Sequence, residues 1–571
     1  MGAACPYPIM SLTRVQSVDG LERHHVDGES ASIRRLSFSP MSDNASARPA
    51  MDRKSSIIEP LKYQEQPKAK RIIQVIIAII YCLFAAGIVF GYAAIKPVLI
   101  EEGVYKNYCT KQELEEGASP CYQQEIRLNL MFTIAAVSTN VAALPIGTVL
   151  DIYGPRVCGI IGSILLAIGA LLFSFAQRLP VDAYIPGYLF LALGGPFIFI
   201  SSFQLSNTFP QRSGLILALL TGAFDSSSAL FLVFRLLFEA TDGELNTQRL
   251  FLIYLVVPIF ILVVQIFVMP KESYRSVSEV IEEADHEANL PTPPEYNEEE
   301  RQVVRERRDS IATEVQSLLD QSSNRKREAR EEKKNNRSGV WGALHGYTAW
   351  EQMKTWWFVL ITLFTVVQMT RINYFVATIR SQERWLLGSE ERAKTVNDFF
   401  DVALPVGGVL SIPFIGTILD NTSTPFALGT LVFFATVIGV LGCLPYMWAA
   451  IGNICLFVVY RPFYYTAVSD YSAKVFGFQT FGKVYGLIIC LAGLFNFVQS
   501  PLDALTHVRF DLNPIPVNLI LLGLAVVVGT SLVAYTGVKS RNMKRENLEE
   551  EAEEASESLM PNANGNSYGT H

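Results

Sequence analysis

Twelve long apolar runs alternate with polar segments along this chain of 571 residues. A helix that crosses a membrane needs about 20 mostly apolar residues, and each run approaches that length. The runs begin near Ile72, Leu128, Val157, Tyr184, Ser213, Leu250, Thr355, Val396, Pro425, Met447, Lys483 and Pro516. The fifth, seventh, eighth and eleventh are the least purely apolar. The pattern therefore predicts an all-α membrane protein with twelve transmembrane helices.

The polar segments divide these runs into two groups of six. Residues 1–60 are rich in Ser, Pro and Arg, a composition typical of disordered chain. We predict five parts, namely a cytosolic tail at 1–71, a six-helix bundle at 72–270, a cytosolic central loop at 271–354, a second bundle at 355–538 and an acidic cytosolic tail at 539–571.

A short sequence occurs once in each half. LPIGTVLDIYGPR at 144–156 returns in weaker form as IPFIGTILDNTSTP at 412–425, which places Asp151 and Asp420 at equivalent positions. Internal duplication of membrane segments is typical of transporters, in which one repeat rocks against the other. The repeat therefore predicts two six-helix pseudo-repeats and transport by alternating access.

Six residues of these repeats are candidates for a conformational gate. They are Gly147, Asp151, Gly154, Arg156, Gly416 and Asp420. Gly147 would allow close helix contact, Asp151 would accept hydrogen bonds from amides at the start of the third helix, and Arg156 would pair with a carboxylate across the interface. Such contacts lock one conformer and break in the other. The second copy lacks the later Gly and Arg, so we expect a weaker latch there; an ordinary polar turn is the alternative.

Three charged residues lie inside apolar runs, where charge is costly and marks function. Arg371 could hold a substrate carboxylate, or it could form a structural ion pair with Asp225, Asp398 or Asp401. Arg461 is a similar candidate. Asp225 could be a protonation site, the partner of a substrate ammonium, or the mate of an arginine.

Four uncharged residues complete the predicted substrate site. Gly87 and Gly91 could thin the first helix and expose backbone to a ligand, although close packing against a neighbour explains them equally well. Asn140 and Tyr374 could supply polar and aromatic contacts to the substrate.

Composition limits the function classes. Hydrophobic residues make up 50% of the chain and charged residues only 18%, whereas soluble domains average about 25% charged. The net charge is −7, and basic residues do not form a stripe along a folded face. This argues against nucleic-acid binding. Neither a Walker loop nor a catalytic set is present. We therefore expect a protein of the lipid bilayer that binds a small molecule, is not an enzyme and uses no cofactor or metal.

Basic residues predict the orientation. An even number of crossings places both termini on one side, and Lys and Arg collect there, as in Lys68, Lys70 and Arg71 before the first run. Cytosolic loops carry this excess, so both termini should be cytosolic. The plasma membrane and a vacuolar or lysosomal membrane are alternatives, and a monomer suffices for this architecture.

Several polar segments carry modification or interaction signals. Cys109 and Cys121 lie in the loop after the first helix, which should face an oxidising side, and this favours a disulfide over two free thiols. Ser37 and Ser310 each follow paired arginines, as kinase sites do. The segment 314–319 resembles an acidic dileucine signal for a sorting adaptor.

Several segments of the chain resemble solute carrier family 43, whose members are major-facilitator carriers of large neutral amino acids. The resemblance rests on residues 121–156, on MTRINYF around Arg371 and on YRPFYY around Arg461. Uncharacterised fungal relatives look closer still. The resemblance to solute carrier family 43 implies sodium-independent facilitated diffusion. It also implies that the family's two arginines deep in the membrane correspond to Arg371 and Arg461. Asp225 departs from the small uncharged residue that the family pattern implies.

Two other functions remain open at the sequence level. The first is a proton-coupled carrier of another organic anion or metabolite, with Asp225 titrating. The second is a nutrient-sensing receptor that signals through the central loop without net transport.

Overall fold

The computed structural model describes residues 67–110, 121–274, 302 and 332–559, and every regular element in those ranges is a helix. We group the helices into twelve spans, α1 to α12. Within the described ranges, nine helices are long and apolar enough to cross a membrane. Span α8 is a tenth if its two segments, which meet at a bend of 42°, are taken together. The twelve-span arrangement agrees with the sequence prediction.

Six spans form the first half. They are α1 (Lys68–Ala85 and Tyr92–Glu101), α2 (Tyr122–Val141 and the beginning of Ala143–Phe175), α3 (the remainder of Ala143–Phe175), α4 (Tyr184–Ser202), α5 (Ser213–Ser227 and Ala229–Ala240) and α6 (Thr247–Tyr254 and Val256–Phe267). The division between α2 and α3 falls at Gly154, whose φ of 80° and ψ of 173° are not helical.

Six spans form the second half. They are α7 (Trp356–Leu387), α8 (Glu390–Leu410 and Ile412–Asn421), α9 (Thr424–Leu441), α10 (Met447–Phe476), α11 (Phe481–Phe495 and Gln499–Val508) and α12 (Ile515–Leu559). Span α8 begins six residues before the apolar run at Val396 because the Ser389 side chain accepts a hydrogen bond from the Arg392 amide and caps a polar first turn.

Small residues let neighbouring helices approach closely within a half. A Cβ atom on Gly169 of α3 would lie 2.8 Å from the Gly187 carbonyl oxygen of α4, and one on Gly194 would lie 2.9 Å from the Gly162 carbonyl oxygen. Such contacts support helix association in lipid, where the hydrophobic effect between helices is absent.

The two halves meet chiefly along two pairs of spans, α2 with α11 and α5 with α8, and α10 also contacts α5. The pairs α2–α11 and α5–α8 are equivalent under the internal repeat, because α8 corresponds to α2 and α11 corresponds to α5. An even number of spans brings the start of α1 and the end of α12 to the same end of the bundle, which we call the terminal end.

Candidate transport site and gate

Asp151 joins the two halves at the terminal end. Its carboxylate accepts hydrogen bonds from the amides of Gly482 and Lys483, each at 2.9 Å, where α11 begins. The first amides of a helix lack intrahelical acceptors, and the helix dipole favours an anion there. The prediction that Asp151 would bind amides of the third helix is therefore wrong. The starts of α3 and α11 both have exposed amides, and it is α11 that lies against the carboxylate in the folded protein.

The glycine of the first repeat copy explains how closely α2 and α11 approach. A Cβ atom on Gly147 would lie 1.8 Å from the Gly482 carbonyl oxygen, and one on Gly482 would lie 2.2 Å from the Gly147 carbonyl oxygen. Neither position can hold a larger side chain without separating the spans.

Asp420 makes the equivalent contact in the second copy. Its carboxylate oxygens accept hydrogen bonds from the Gly214 amide at 2.9 Å and the Leu215 amide at 3.1 Å, where α5 begins. A Cβ atom on Gly416 would lie 2.9 Å from the Leu215 Cα atom. The hydrogen bonds of Asp420 closely resemble those of Asp151, and the weaker latch that the shortened motif predicts stays a prediction. The amides belong to the backbone, so their positions do not require the missing Gly and Arg.

Arg156 does not cross the interface. Its Nε atom donates to the Met269 carbonyl oxygen at 3.1 Å, just after α6 and within the same half. Gly154 lies beside it, because a Cβ atom there would be 2.7 Å from the Lys271 carbonyl oxygen. Through these two residues, the turn between α2 and α3 packs against the segment that follows α6. The predicted pairing of Arg156 with a carboxylate of the other half is therefore wrong in this conformer.

Asp225 and Arg461 form an ion pair between the halves. Asp225 lies midway along α5 and Arg461 midway along α10, with 3.4 Å between Asp225 Oδ1 and Arg461 Nη1. The side chains are 3% and 12% exposed. In the described residues, Asp225 Oδ1 and Arg461 Nε have no hydrogen-bond partner. Asp225 is thus the ion-pair partner of an arginine, and that arginine is Arg461 rather than Arg371.

Arg371 lines a cavity of about 50 Å³ in the second half, bounded by α7, α9, α10 and α12. Its Nη2 atom donates to the Ala435 carbonyl oxygen at 2.9 Å, and its Nη1 atom lies 3.4 Å from Gln368 Oε1. Among the described side chains, no carboxylate lies within ion-pair distance of this guanidinium; Asp398 is exposed, and the Asp401 side chain is outside the described set.

Three polar atoms of the same cavity lack hydrogen bonds within the described part of the chain. They are Gln368 Nε2, Asn453 Oδ1 and Tyr460 Oη. Their residues are 0%, 1% and 3% exposed, respectively. A buried polar atom without a partner costs free energy, so each such atom requires an explanation. A bound polar ligand would supply the missing partners. Sequence reasoning missed all three, although each interrupts an apolar run.

Apart from Asn518, the remaining cavity wall is mostly apolar and aromatic. Phe375, Phe457, Ile372 and Leu521 line it together with Tyr374. The Tyr374 hydroxyl shares a hydrogen bond of 2.8 Å with the Thr506 hydroxyl of α11, which orients the ring.

Gly87, Gly91 and Asn140 do not line this cavity. A Cβ atom on Gly87 would lie 2.7 Å from the Phe224 carbonyl oxygen, and one on Gly91 would lie 2.1 Å from that of Ser228. These glycines therefore pack the junction between the two segments of α1 against α5, which was the alternative to ligand binding. Asn140 contacts Gly493 of α11 at the interface between the halves.

Cys109 and Cys121 form a disulfide between α1 and α2, at the end opposite to the terminal end. Their Cα atoms are 5.7 Å apart. The candidate phosphorylation sites Ser37 and Ser310 and the dileucine segment 314–319 lie outside the described residues.

The comparisons with known proteins identify a family. Residues 77–500 match the sequence model of the Major Facilitator Superfamily. The chain is 48% identical to Protein FMP42 of Saccharomyces cerevisiae over 484 residues, which cover 81% of this chain and 94% of the yeast protein.

Two further relatives carry names that state a substrate. Equilibrative nucleobase transporter 1 of Bos taurus is 23% identical over 80% of this chain and 94% of its own length. Large neutral amino acids transporter small subunit 3 of Homo sapiens is 30% identical over 28% of this chain and 31% of its own length.

Among solved structures, the proton:xylose symporter XylE aligns with a TM-score of 0.53 and 12% sequence identity. The alignment covers 82% of this chain and 97% of that chain. At this identity the likeness concerns the fold alone, and it confirms the predicted helical architecture.

Proposed function

Because the chain belongs to the major facilitator superfamily and is a multi-pass membrane transporter, we propose that it carries large neutral amino acids by facilitated diffusion. The observation that carries the proposal is the Arg371 guanidinium, which lines a cavity without a carboxylate partner among the described side chains. Burying an unpaired charge is costly, and a ligand with a carboxylate offsets that cost.

The polar atoms of the cavity fit the two charged groups of an amino acid. Arg371 can bind the carboxylate through paired N–H donors, and the unpartnered Gln368 Nε2 supplies another donor. Asn453 Oδ1 and the Tyr460 hydroxyl oxygen can accept hydrogen bonds from the ammonium.

The apolar wall matches the chemistry of an uncharged, apolar side chain. Phe375, Phe457 and Leu521 lie beside the polar group and offer no counter-charge to a substrate side chain. Burial of apolar surface against them favours bulky substrates by about 25 cal/mol per Å². The similarity to the human transporter named for large neutral amino acids supports the same substrate class.

Transport follows from rocking of the two halves. The contacts of Asp151 and Asp420 hold the terminal end closed in this conformer. Opening of that end requires that both carboxylates leave the amides of the opposite half. On the charge bias of the sequence, we assign the terminal end to the cytosol.

A second candidate is proton-coupled transport of another organic anion or metabolite. It is favoured by Asp225, a carboxylate that is 3% exposed, lies between the halves and has an oxygen without a hydrogen bond among the described residues. A carboxylate in such a place can exchange a proton during transport.

Uptake of radiolabelled leucine into liposomes that contain the purified protein distinguishes these functions. Saturable uptake that phenylalanine blocks, and that an imposed pH gradient does not change, is the expected result. Uptake that follows the pH gradient would favour the second candidate. Failure of folded protein to take up leucine would remove the amino-acid assignment, and adenine uptake in the same vesicles would replace it with a nucleobase.

A further inference from the structure

Residues 332–347, which we call the strap, cross the terminal end and are fastened to the second half. The Gly342 amide donates to the Lys474 carbonyl oxygen at 3.2 Å, and the Leu344 amide donates to the Val475 carbonyl oxygen at 3.0 Å. The Leu344 carbonyl oxygen accepts from Gln352 Nε2 at 2.9 Å. The strap therefore moves with the end of α10.

Lys334, in the helical first part of the strap, contacts both halves. Its Nζ atom donates to Asp420 Oδ1 at 2.7 Å in the second half, and to Ser213 Oγ at 2.8 Å and the Pro210 carbonyl oxygen at 2.6 Å in the first half. An ammonium has three N–H donors, so these three acceptors satisfy it completely.

Burial shields this contact from the water and salt that screen an ordinary surface ion pair. The side chains of Lys334 and Asp420 are 14% and 11% exposed, whereas exposed pairs contribute little because water and salt screen them. Burial lowers the pKa of the Lys334 ammonium, and the Asp420 carboxylate opposes that shift.

The same Asp420 carboxylate also accepts from the amides of Gly214 and Leu215. When the terminal end opens, the start of α5 leaves Asp420. Lys334 can stay with Asp420 because the strap belongs to the second half, but it must give up Ser213 and the Pro210 carbonyl oxygen. Two of its three hydrogen bonds therefore exist only while the gate is closed.

We propose that Lys334 is a gate residue of this transporter, which stabilises the conformer closed at the terminal end by fastening the start of α5 to Asp420. The strap thus supplies a cation to the Asp420 carboxylate of the second repeat copy. At the first copy, the described hydrogen bonds to Asp151 come from backbone amides of α11, and the nearby cation is Lys483 of that same span. The proposal requires a carrier with two gates and holds for any substrate.

Hydrogen–deuterium exchange followed by mass spectrometry tests this role on the full chain. Lys334→Gln should increase exchange in the peptide over 210–217 and, because the halves move as rigid bodies, also in the peptide over 480–486, which Lys334 does not touch. We expect an increase of roughly tenfold, as for loss of hydrogen bonds to a charged group. Lys334→Arg, which keeps the charge, should restore part of the protection.

Lys333→Gln is the matched control, because Lys333 is the exposed neighbour and its loss should leave both peptides unchanged. A Lys334→Gln protein with faster exchange at 210–217 alone would overturn the proposal, since that result indicates local loosening. Ser213→Ala removes one acceptor and leaves the strap intact. It should shift both peptides in the same direction by a smaller factor, and it provides the test if Lys334→Gln fails to fold.

Discussion

Tyr460 and Arg461 are consecutive residues of α10 that serve different sites: Tyr460 lines the Arg371 cavity, whereas Arg461 pairs with Asp225 of the other half. Span α10 thus borders both the candidate substrate site and the interface between the halves. Movement of α10 on substrate binding would reach the interface directly, because the two side chains share one backbone segment.

Replacement of Arg371 by Gln should abolish most leucine uptake. The variant removes the only described cation of the cavity that can bind the substrate carboxylate, and loss of a hydrogen bond to a charged group costs about 1.5–3 kcal/mol, or roughly a 10- to 100-fold loss in kcat/KM. Initial rates in proteoliposomes measure the effect. Arg235→Gln is the control, since Arg235 is 40% exposed and pairs with Glu239 on the same helical face. Normal uptake by the Arg371 variant would refute the assignment of the carboxylate site.

Tyr460→Phe should raise KM for leucine about three- to tenfold, with a smaller change in kcat. The substitution keeps the ring and removes one hydroxyl that we assign to the substrate ammonium, a loss of roughly 1 kcal/mol. The exposed Tyr446 provides the matched Tyr→Phe control. An unchanged KM would show that this hydroxyl does not contact the substrate.

The Asp225–Arg461 pair should behave as a coupled unit. Asp225→Asn and Arg461→Gln each leave one buried charge without its partner, and breaking a buried pair costs about 3–5 kcal/mol. The double variant removes both charges, so its loss of thermal stability should be smaller than the sum of the single losses. Melting temperatures of the four proteins in detergent close this double-mutant cycle. Additive losses would mean that the two charges do not interact.

Gly482→Ala should disfavour closure of the terminal end. The new Cβ atom would lie 2.2 Å from the Gly147 carbonyl oxygen, so α2 and α11 must separate. Uptake should fall, and exchange of the amides that bind Asp151 should become faster. Gly523→Ala is the control, because nothing lies within 4 Å of a Cβ atom there. Equal behaviour of the two variants would contradict the close contact.

The sequence predicted the helices better than their contacts. Apolar runs are long enough to mark membrane spans, and the repeat marked Asp151 and Asp420. Their partners could not be inferred because the amides of Gly482 and Gly214 lie more than 200 residues away along the chain and any helix start offers similar donors. Arg156 illustrates the same limit, since a backbone carbonyl carries no sequence signal.

The cavity around Arg371 was predicted only in part. Arg371 and Tyr374 stand out in one apolar run, but Asn453 and Tyr460 come from another helix and join them only in the folded bundle. Average hydropathy does not distinguish a polar residue that faces a cavity from one that bonds its own helix, as Thr365 does. Asp225 was correctly identified as the possible mate of an arginine, whereas the choice between Arg371 and Arg461 required the helix arrangement.

The disulfide between Cys109 and Cys121 has a consequence for biosynthesis. These cysteines lie in the loop between the first two spans, so their bond can form as soon as that hairpin has entered an oxidising lumen, before the second half has been translated. In a correctly inserted chain, this disulfide would therefore show early in synthesis that the first loop faces the lumen. Protection of these two thiols from alkylation in ribosome-bound chains would report the topology of the whole protein at its first hairpin.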